Sequence, residues 1–178
     1  MTKVFFSGLI LCLANLIQAA DLQVRAAEIV GYGIFDTSSS SSGRGFTAAS
    51  IAQDNVKGVQ FIEYTTDIPA KLGVNFGIQY VINSRPRGKP IKVTSIVKFP
   101  EGGLQRPRGR LYAESRDTHE VTIGGKALHG YGFDEEWELV PGIWIFELWY
   151  RDVRLIKKTF NVYVPDAEEK GHVVASEQ

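Results

Sequence analysis

Sulfur is nearly missing from this chain of 178 residues, which contains one cysteine, Cys12, and one methionine, Met1. Both lie in an N-terminal segment with the pattern of a secretory signal. Once that segment is removed, no disulfide and no sulfur-ligated metal site can form. Leu11 stands before Cys12, where lipoprotein processing needs a small residue. We therefore expect Cys12 to be discarded with the signal.

An excess of charge of either sign is also missing, because 20 Lys plus Arg balance 20 Asp plus Glu. Without residues 1–20, which hold one lysine and no acid, 158 residues carry 19 basic and 20 acidic side chains. A nearly neutral chain offers no electrostatic basis for binding nucleic acid or a membrane surface in bulk. We expect neither as a partner.

Catalytic and metal-binding motifs are scarce as well. The chain has no nucleophile elbow, and its glycine pairs lack the lysine of a phosphate cradle. The histidines His119, His129 and His172 do not pair at the spacing of metal ligands on a strand or helix. We expect them in exposed loops, and we expect no metal and no cofactor.

The first twenty residues have the three parts of an export signal. One positive charge, Lys3, precedes an apolar run over 4–17, and the small residues Ala19 and Ala20 follow. A membrane span needs about 20 continuous apolar residues, so the alternative of an uncleaved anchor is weaker. We predict a signal helix over 1–20 that is cleaved near Ala19 and Ala20. The mature protein is then periplasmic or secreted, without a stable membrane anchor.

Four regions follow from composition: a signal peptide at 1–20, an N-terminal strand and serine-rich loop at 21–57, a core at 58–165 and a polar tail at 166–178. The first strand is predicted over 27–35. The serines at 38–42 predict a flexible loop. The segment 46–55 has only weak helical periodicity and receives no assignment.

The core contains runs of strand length separated by Gly, Pro and Asn clusters, and no stretch with a convincing helical period. The predicted strands cover 60–66, 74–83, 91–99, 143–150 and 153–164, with weaker candidates at 111–114 and 120–123. The cluster at 67–70 is taken as the end of the strand before it. This pattern predicts an all-β chain folded as an immunoglobulin-like antiparallel β-sandwich. A small closed barrel is the alternative.

Two predicted strands show their packing in the sequence. In 74–83, the residues at even positions are apolar, and the opposite face carries Asn75, Gln79 and Asn83, which predicts one core face and one solvent face. In 143–150 both faces are apolar, which predicts a central strand covered on both sides. Arg151 and Asp152 form a turn candidate that joins it to 153–164 in a hairpin.

Aromatic side chains provide the first candidates for binding. Trp144 lies on the core face of its predicted strand, so packing is its expected role. Trp137 lies in a charged segment and Trp149 opposes the core pattern. These two tryptophans are the candidate exposed platforms for stacking a carbohydrate.

Arginines provide the second set of candidates. Arg85 and Arg87 share a turn with Lys89, while Arg106, Arg108 and Arg110 alternate at period two. On an extended segment such arginines project from one side and can engage a phosphate, a carboxylate or an acidic partner. Charges that only keep edges and loops soluble explain them equally well.

A third candidate is an acidic cluster, which comprises Asp134, Glu135, Glu136 and Glu138. Paired carboxylates act as acid and base in glycosidases. The cluster therefore leaves open a small glycoside-acting enzyme, although clustered loop acids are usually only solvated.

Several segments, in this order and spacing, resemble the bacterial family called domain of unknown function 3859: 73–80, 98–100 with 102–104, 137–144 and 160–162. The resemblance extends from about Gly31 to Val164, with the serine tract as a local insertion. It implies a signal-bearing bacterial protein with an immunoglobulin-like sandwich, and it carries over no catalytic residue.

The function predicted from the sequence is therefore a non-enzymatic, exported binding or interaction module. Its partner is expected to be an envelope protein or a glycan. A carbohydrate-binding module that uses exposed tryptophans, and a small enzyme that uses the acidic cluster, are the alternatives.

Overall fold

A computed structural model of the chain describes Val24, residues 26–36, the backbone of 51–54 and residues 59–166. The predicted signal peptide, the serine tract at 38–42 and the tail beyond Asp166 lie outside the described residues. No helix in the described ranges is long and apolar enough to cross a membrane.

Strands make up nearly all regular structure in the described part of the chain. In order they are β1 (Ala27–Asp36), β2 (Ile51–Asp54), β3 (Gln60–Glu63), β4 (Asp67–Pro69), β5 (Asn75–Ile82), β6 (Pro90–Lys98), β7 (Leu104–Gln105), β8 (Leu111–Tyr112), β9 (Glu114–Thr122), β10 (Lys126–Gly132), β11 (Gly142–Tyr150) and β12 (Val153–Tyr163). The one helical segment among these residues is a 3-10 turn, η1 (Glu136–Glu138). Helix is thus not a layer of the fold, as predicted.

Ten strands form two five-stranded sheets whose inner faces share one core. The first sheet has the order β2-β10-β5-β1-β3, and the second has the order β4-β12-β11-β6-β9. Neighbouring strands are antiparallel except β4, which runs parallel to β12. The short β7 and β8 pair separately as a ribbon. Because each sheet has open edges, the fold is a sandwich rather than a closed barrel, and β1 extends it N-terminal to residue 58.

The core lies between the sheets and follows the predicted alternation. On β5, Phe76, Ile78 and Tyr80 are fully buried. Trp144, Phe146 and Leu148 of β11 meet them from the second sheet and are equally buried. The core role predicted for Trp144 is therefore confirmed.

Several predicted strands are confirmed, namely β1, β5, β6, β11 and β12. Others differ in extent. The run 60–66 yields only β3, and the segment 67–70, predicted as a strand end, contains β4. The weak candidates at 111–114 and 120–123 correspond to β8 and to one continuous strand, β9. Neither β10 nor β2 was predicted as a strand.

The outer face of β11 corrects one expectation. β11 is the central strand of its sheet, as predicted, but none of the described residues forms a second layer over its outer face, where Ile143 is half exposed. Glu147 on that face is nonetheless only 1% exposed. Long side chains from the same sheet, Lys98 and Arg154, reach its carboxylate and shield it.

Candidate functional site

The β7–β8 ribbon carries three arginines around a tight turn. The N–H of Gly109 donates to the carbonyl of Arg106 at 2.9 Å, and Arg108, in the third position, has φ 56°. A positive φ there is the mark of a type II turn. The expectation that Arg106, Arg108 and Arg110 project from one side of an extended segment is therefore wrong, because the chain reverses between them.

The segment after β10 is fixed by the buried carboxylate of Glu138. Its Oε1 accepts from the Tyr131 hydroxyl at 2.8 Å, and its Oε2 accepts the backbone N–H groups of Asp134 and Glu135 at 2.7 and 2.9 Å. Burial raises the pKa of Tyr131, and the nearby Glu138 charge raises it further, so the hydroxyl remains a donor. This network holds η1, and with it Trp137, against the end of β10.

The ribbon, η1 and the adjoining ends of β6 and β9 line a cavity of about 370 Å³, called here the Trp137 cavity. Its aromatic wall consists of Phe99, Tyr112, Tyr131 and Trp137. Its charged wall consists of Arg106, Glu114 and Arg116. The cavity therefore brings together two residues singled out from the sequence, Trp137 and Arg106.

The two arginines that line the Trp137 cavity differ in whether a carboxylate pairs with them. Arg116 pairs with Glu114, with 3.0 Å between Nη2 and Oε1. The guanidinium carbon of Arg106 lies 5.7 Å from the centroid of the Trp137 ring, which is within cation–π range. Arg106 forms no ion pair with a carboxylate of the described residues. It is the cavity's uncompensated cation.

A second depression, the Trp149 groove, lies on the outer face of the second sheet and has a volume of about 360 Å³. Glu147 accepts from Trp149 Nε1 at 3.0 Å and contacts Lys98 Nζ at 3.3 Å and Arg154 Nη1 at 3.0 Å. Burial raises the pKa of Glu147, but the hydrogen bonds from Trp149, Lys98 and Arg154 outweigh it, so the net pKa is lowered. These two cations are therefore paired.

The two predicted platforms, Trp137 and Trp149, are half-buried rather than exposed. Each carries an arginine over one ring face: Arg106 on Trp137 and Arg154 on Trp149, both at 5.7 Å. One stacking face of each indole is thus already occupied. The Trp137 cavity and the Trp149 groove adjoin, since Glu114 and Arg116 line both.

The remaining predicted arginines do not join this site. Arg85 and Arg87 lie in the loop between β5 and β6, which Gly88 ties to the β9–β10 turn through the carbonyl of Ile123. Arg108 and Arg110 are exposed on the ribbon and do not line the Trp137 cavity. Their part in binding remains a prediction.

The expectation of exposed loop histidines is wrong for His129, which lies on β10 and is fully buried. Its Nε2 donates to the carbonyl of Ile96 at 3.2 Å. Desolvation lowers the pKa of His129 to about 4; the bond to Ile96 opposes this and nearby His119 adds to it. His119 lies on β9, with Nδ1 3.4 Å from Asp117. Within the described ranges, no group of three possible ligands could hold a metal.

The acidic cluster does not form an acid and base pair in a cleft. Glu138 is buried with both oxygens bonded, whereas Asp134, Glu135 and Glu136 are exposed. Burial, with the neighbouring charges of Glu138 and Glu135, raises the pKa of Asp134. None of the four carboxylates lines the Trp137 cavity.

Sequence reasoning missed the other residues of the site. Tyr131 lies on β10 and Arg116 on β9, neither of which was recognised as a full strand. The available signal was the alternation of Glu114 and Arg116 at period two, which places both on one face of a strand.

Two solved structures were compared with this fold. An immunoglobulin-like protein from Pseudomonas aeruginosa is 24% identical, and the match covers 79% of this chain and 98% of that one with a TM-score of 0.57. A β-glucosidase from Erythrobacter marinus is 7% identical over 65% of this chain and 15% of its own, with a TM-score of 0.32, too low to carry an argument. No curated protein matches the chain in sequence.

The paired sheets and the Pseudomonas structure define the class, an immunoglobulin-like β-sandwich. Residues 23–162 match the family described as Domain of unknown function (DUF3859), and the chain belongs to it. The resemblance seen in the sequence is confirmed.

Proposed function

We propose that this protein is an exported, non-enzymatic binding module of the bacterial envelope and that the Trp137 cavity is its ligand site. The observation that carries the proposal is the uncompensated Arg106, which lies over an aromatic wall inside a cavity. The volume, about 370 Å³, is within the range of small-molecule sites.

Preformed geometry supports a binding role. Glu138 fixes the segment that carries Trp137, and the indole N–H of Trp144 donates to the carbonyl of Val140 at 3.0 Å, which fixes the far end of the same segment. A wall held at both ends loses little conformational entropy when a ligand binds.

Export is supported by the signal pattern of residues 1–20. The structural role of Glu138 supports the non-enzymatic part of the proposal, because both of its carboxylate oxygens accept hydrogen bonds from the protein itself. Turnover of glycoside, ester or peptide substrates that is lost in Glu135→Gln or Glu136→Gln would overturn it.

A second candidate is glycan binding in the Trp149 groove. The observation in its favour is that Glu147 holds the indole of Trp149 in one orientation at the edge of a polar surface. A fixed aromatic ring beside polar groups suits a sugar.

Tryptophan fluorescence of the exported chain distinguishes the two sites. We expect envelope glycan fragments to change the emission, Trp137→Phe to abolish the change and Trp149→Phe to retain it. Loss in Trp149→Phe alone would assign the ligand to the second groove. A response that neither substitution alters would contradict both assignments.

A further inference from the structure

We infer that the Trp137 cavity selects a sugar that bears a carboxylate and that Arg106 receives that carboxylate. The inference rests on the proposed function and gives the chemical class of the ligand. It is carried by three features of the cavity: its charge, the position of Arg106 and the nature of its walls.

Charge singles out Arg106 from Arg116, the other cation that lines the Trp137 cavity. Arg116 is paired with Glu114, and Lys98 and Arg154 share Glu147. Arg106 has no carboxylate partner in the part of the chain that the structure describes, yet it lines the cavity. An anionic group of the ligand would pair with Arg106, as the protein's own carboxylates pair with those other cations.

The position of Arg106 favours a carboxylate. A guanidinium lying over an indole ring is held on one face, while its N–H groups remain at its edge. Those donors form a planar fork that matches the two oxygens of a carboxylate. Trp137 therefore acts as a positioning residue for Arg106, and a neutral sugar could stack on this ring face only after displacing the arginine.

The walls favour a sugar as the carrier of the carboxylate. Phe99 and Tyr112 present aromatic surface that suits the C–H face of a pyranose. Glu114 and Ser115, both half-buried in the lining, offer acceptors for hydroxyl groups. A ligand with an anionic edge, an apolar face and several hydroxyls uses all three surfaces.

Calorimetric titration of the exported chain tests the inference, with short oligomers of D-galacturonate against equal oligomers of D-galactose. We expect the acidic oligomer to bind about tenfold tighter or more, the range of a charge-assisted hydrogen bond. Arg106→Gln should remove that advantage. Lys126→Gln, which deletes a positive charge at the opposite end of β10, is the matched control and should retain it.

Equal binding of both oligomers, unchanged by Arg106→Gln but lost in Trp137→Phe, would overturn the inference and leave the proposed site intact. Acetate binding as tightly as the oligomer would overturn the sugar part, and an acidic peptide that outcompetes the oligomer would overturn the ligand class. If no sugar, anion or peptide gives a response that depends on Trp137 or Arg106, the proposed site fails as well.

Discussion

A single buried histidine links the stability of this protein to pH. His129 is fully buried, and desolvation is the main cause that lowers its pKa to about 4, against 6.5 for an unperturbed histidine. Between these values the unfolded chain binds the proton and the folded chain does not. Stability is therefore complete above about pH 6.5 and falls as the pH drops toward 4, by about 3 kcal/mol in total.

Urea unfolding between pH 7.5 and 4.5 tests this prediction. His129→Gln can still donate to the carbonyl of Ile96 but cannot be protonated, so most of the pH dependence should disappear. His119→Gln removes only the smallest of the causes that shift the His129 pKa, so it should retain most of the pH dependence. The pKa of Glu147 is lowered in the folded protein, so its contribution to stability is lost only below pH 4.5, the pKa of the unfolded group. That loss lies outside the pH range of the experiment. An unchanged slope in His129→Gln would contradict the prediction.

Three turns of the same kind differ in the residue at their third position. The turns that end at Gly103 and Gly125 place Gly102 (φ 91°) and Gly124 (φ 80°) third, whereas the β7–β8 turn places Arg108 there with φ 56°. A non-glycine residue in this region costs about 1 kcal/mol. No described residue pairs with Arg108 to offset that cost.

Arg108→Gly should therefore stabilise the protein by no more than about 0.5 kcal/mol, because the entropy that glycine adds to the unfolded chain, about 0.5 to 1 kcal/mol, offsets much of the relief of about 1 kcal/mol at the positive φ. Thermal unfolding measures the gain. Arg151→Gly, at φ 51°, is the matched comparison and should gain less, because Arg151 also lies 5.3 Å from the Tyr150 ring. Destabilisation by Arg108→Gly would show that the arginine makes a favourable contact.

Strands with a regular apolar period could be predicted from the sequence. Strands whose residues make sense only beside a neighbouring strand could not. The period of β5 and the apolar density of β11 predicted both strands. β10 was missed because Gly130 and Gly132 interrupt its pattern, although a Cβ at Gly130 would lie 2.8 Å from the Phe35 ring, which only glycine permits. The prediction divided β9 because polar Asp117 and His119 interrupt the strand face that carries buried Val121, a feature common at sheet edges.

The candidate site was predictable only in part, for the same reason. Trp137 and Arg106 were both selected, one as an aromatic platform and the other as a cation, but nothing in the sequence placed them together. Their meeting depends on the β7–β8 ribbon folding back toward η1. The buried carboxylate of Glu138, read from the sequence as one of several solvated acids, is what fixes η1 there.

Aromatic contacts join the two sheets, and Phe76 makes several of them. Phe76 on β5 lies 5.7, 5.4 and 5.4 Å from the rings of Trp144, Phe146 and Phe160 on the second sheet, and 5.3 Å from Phe133 after β10. Edge-to-face pairs of this kind contribute about 0.5 to 1.5 kcal/mol each beyond area burial. Because these contacts cross the interface, neither sheet keeps its packing when the other opens.

This arrangement predicts that the sheets unfold together. Phe76→Ala should cost about 3 to 5 kcal/mol, and Phe76→Leu, which leaves a smaller cavity, should cost less and remain folded for measurement. Hydrogen exchange of Phe76→Leu should show an equal loss of protection for β5 and β11 amides. Ile62→Ala, at a side chain that is 69% exposed, should change neither by more than about 0.5 kcal/mol. Loss confined to β5 would mean that the sheets open independently and that the aromatic contacts do not couple them.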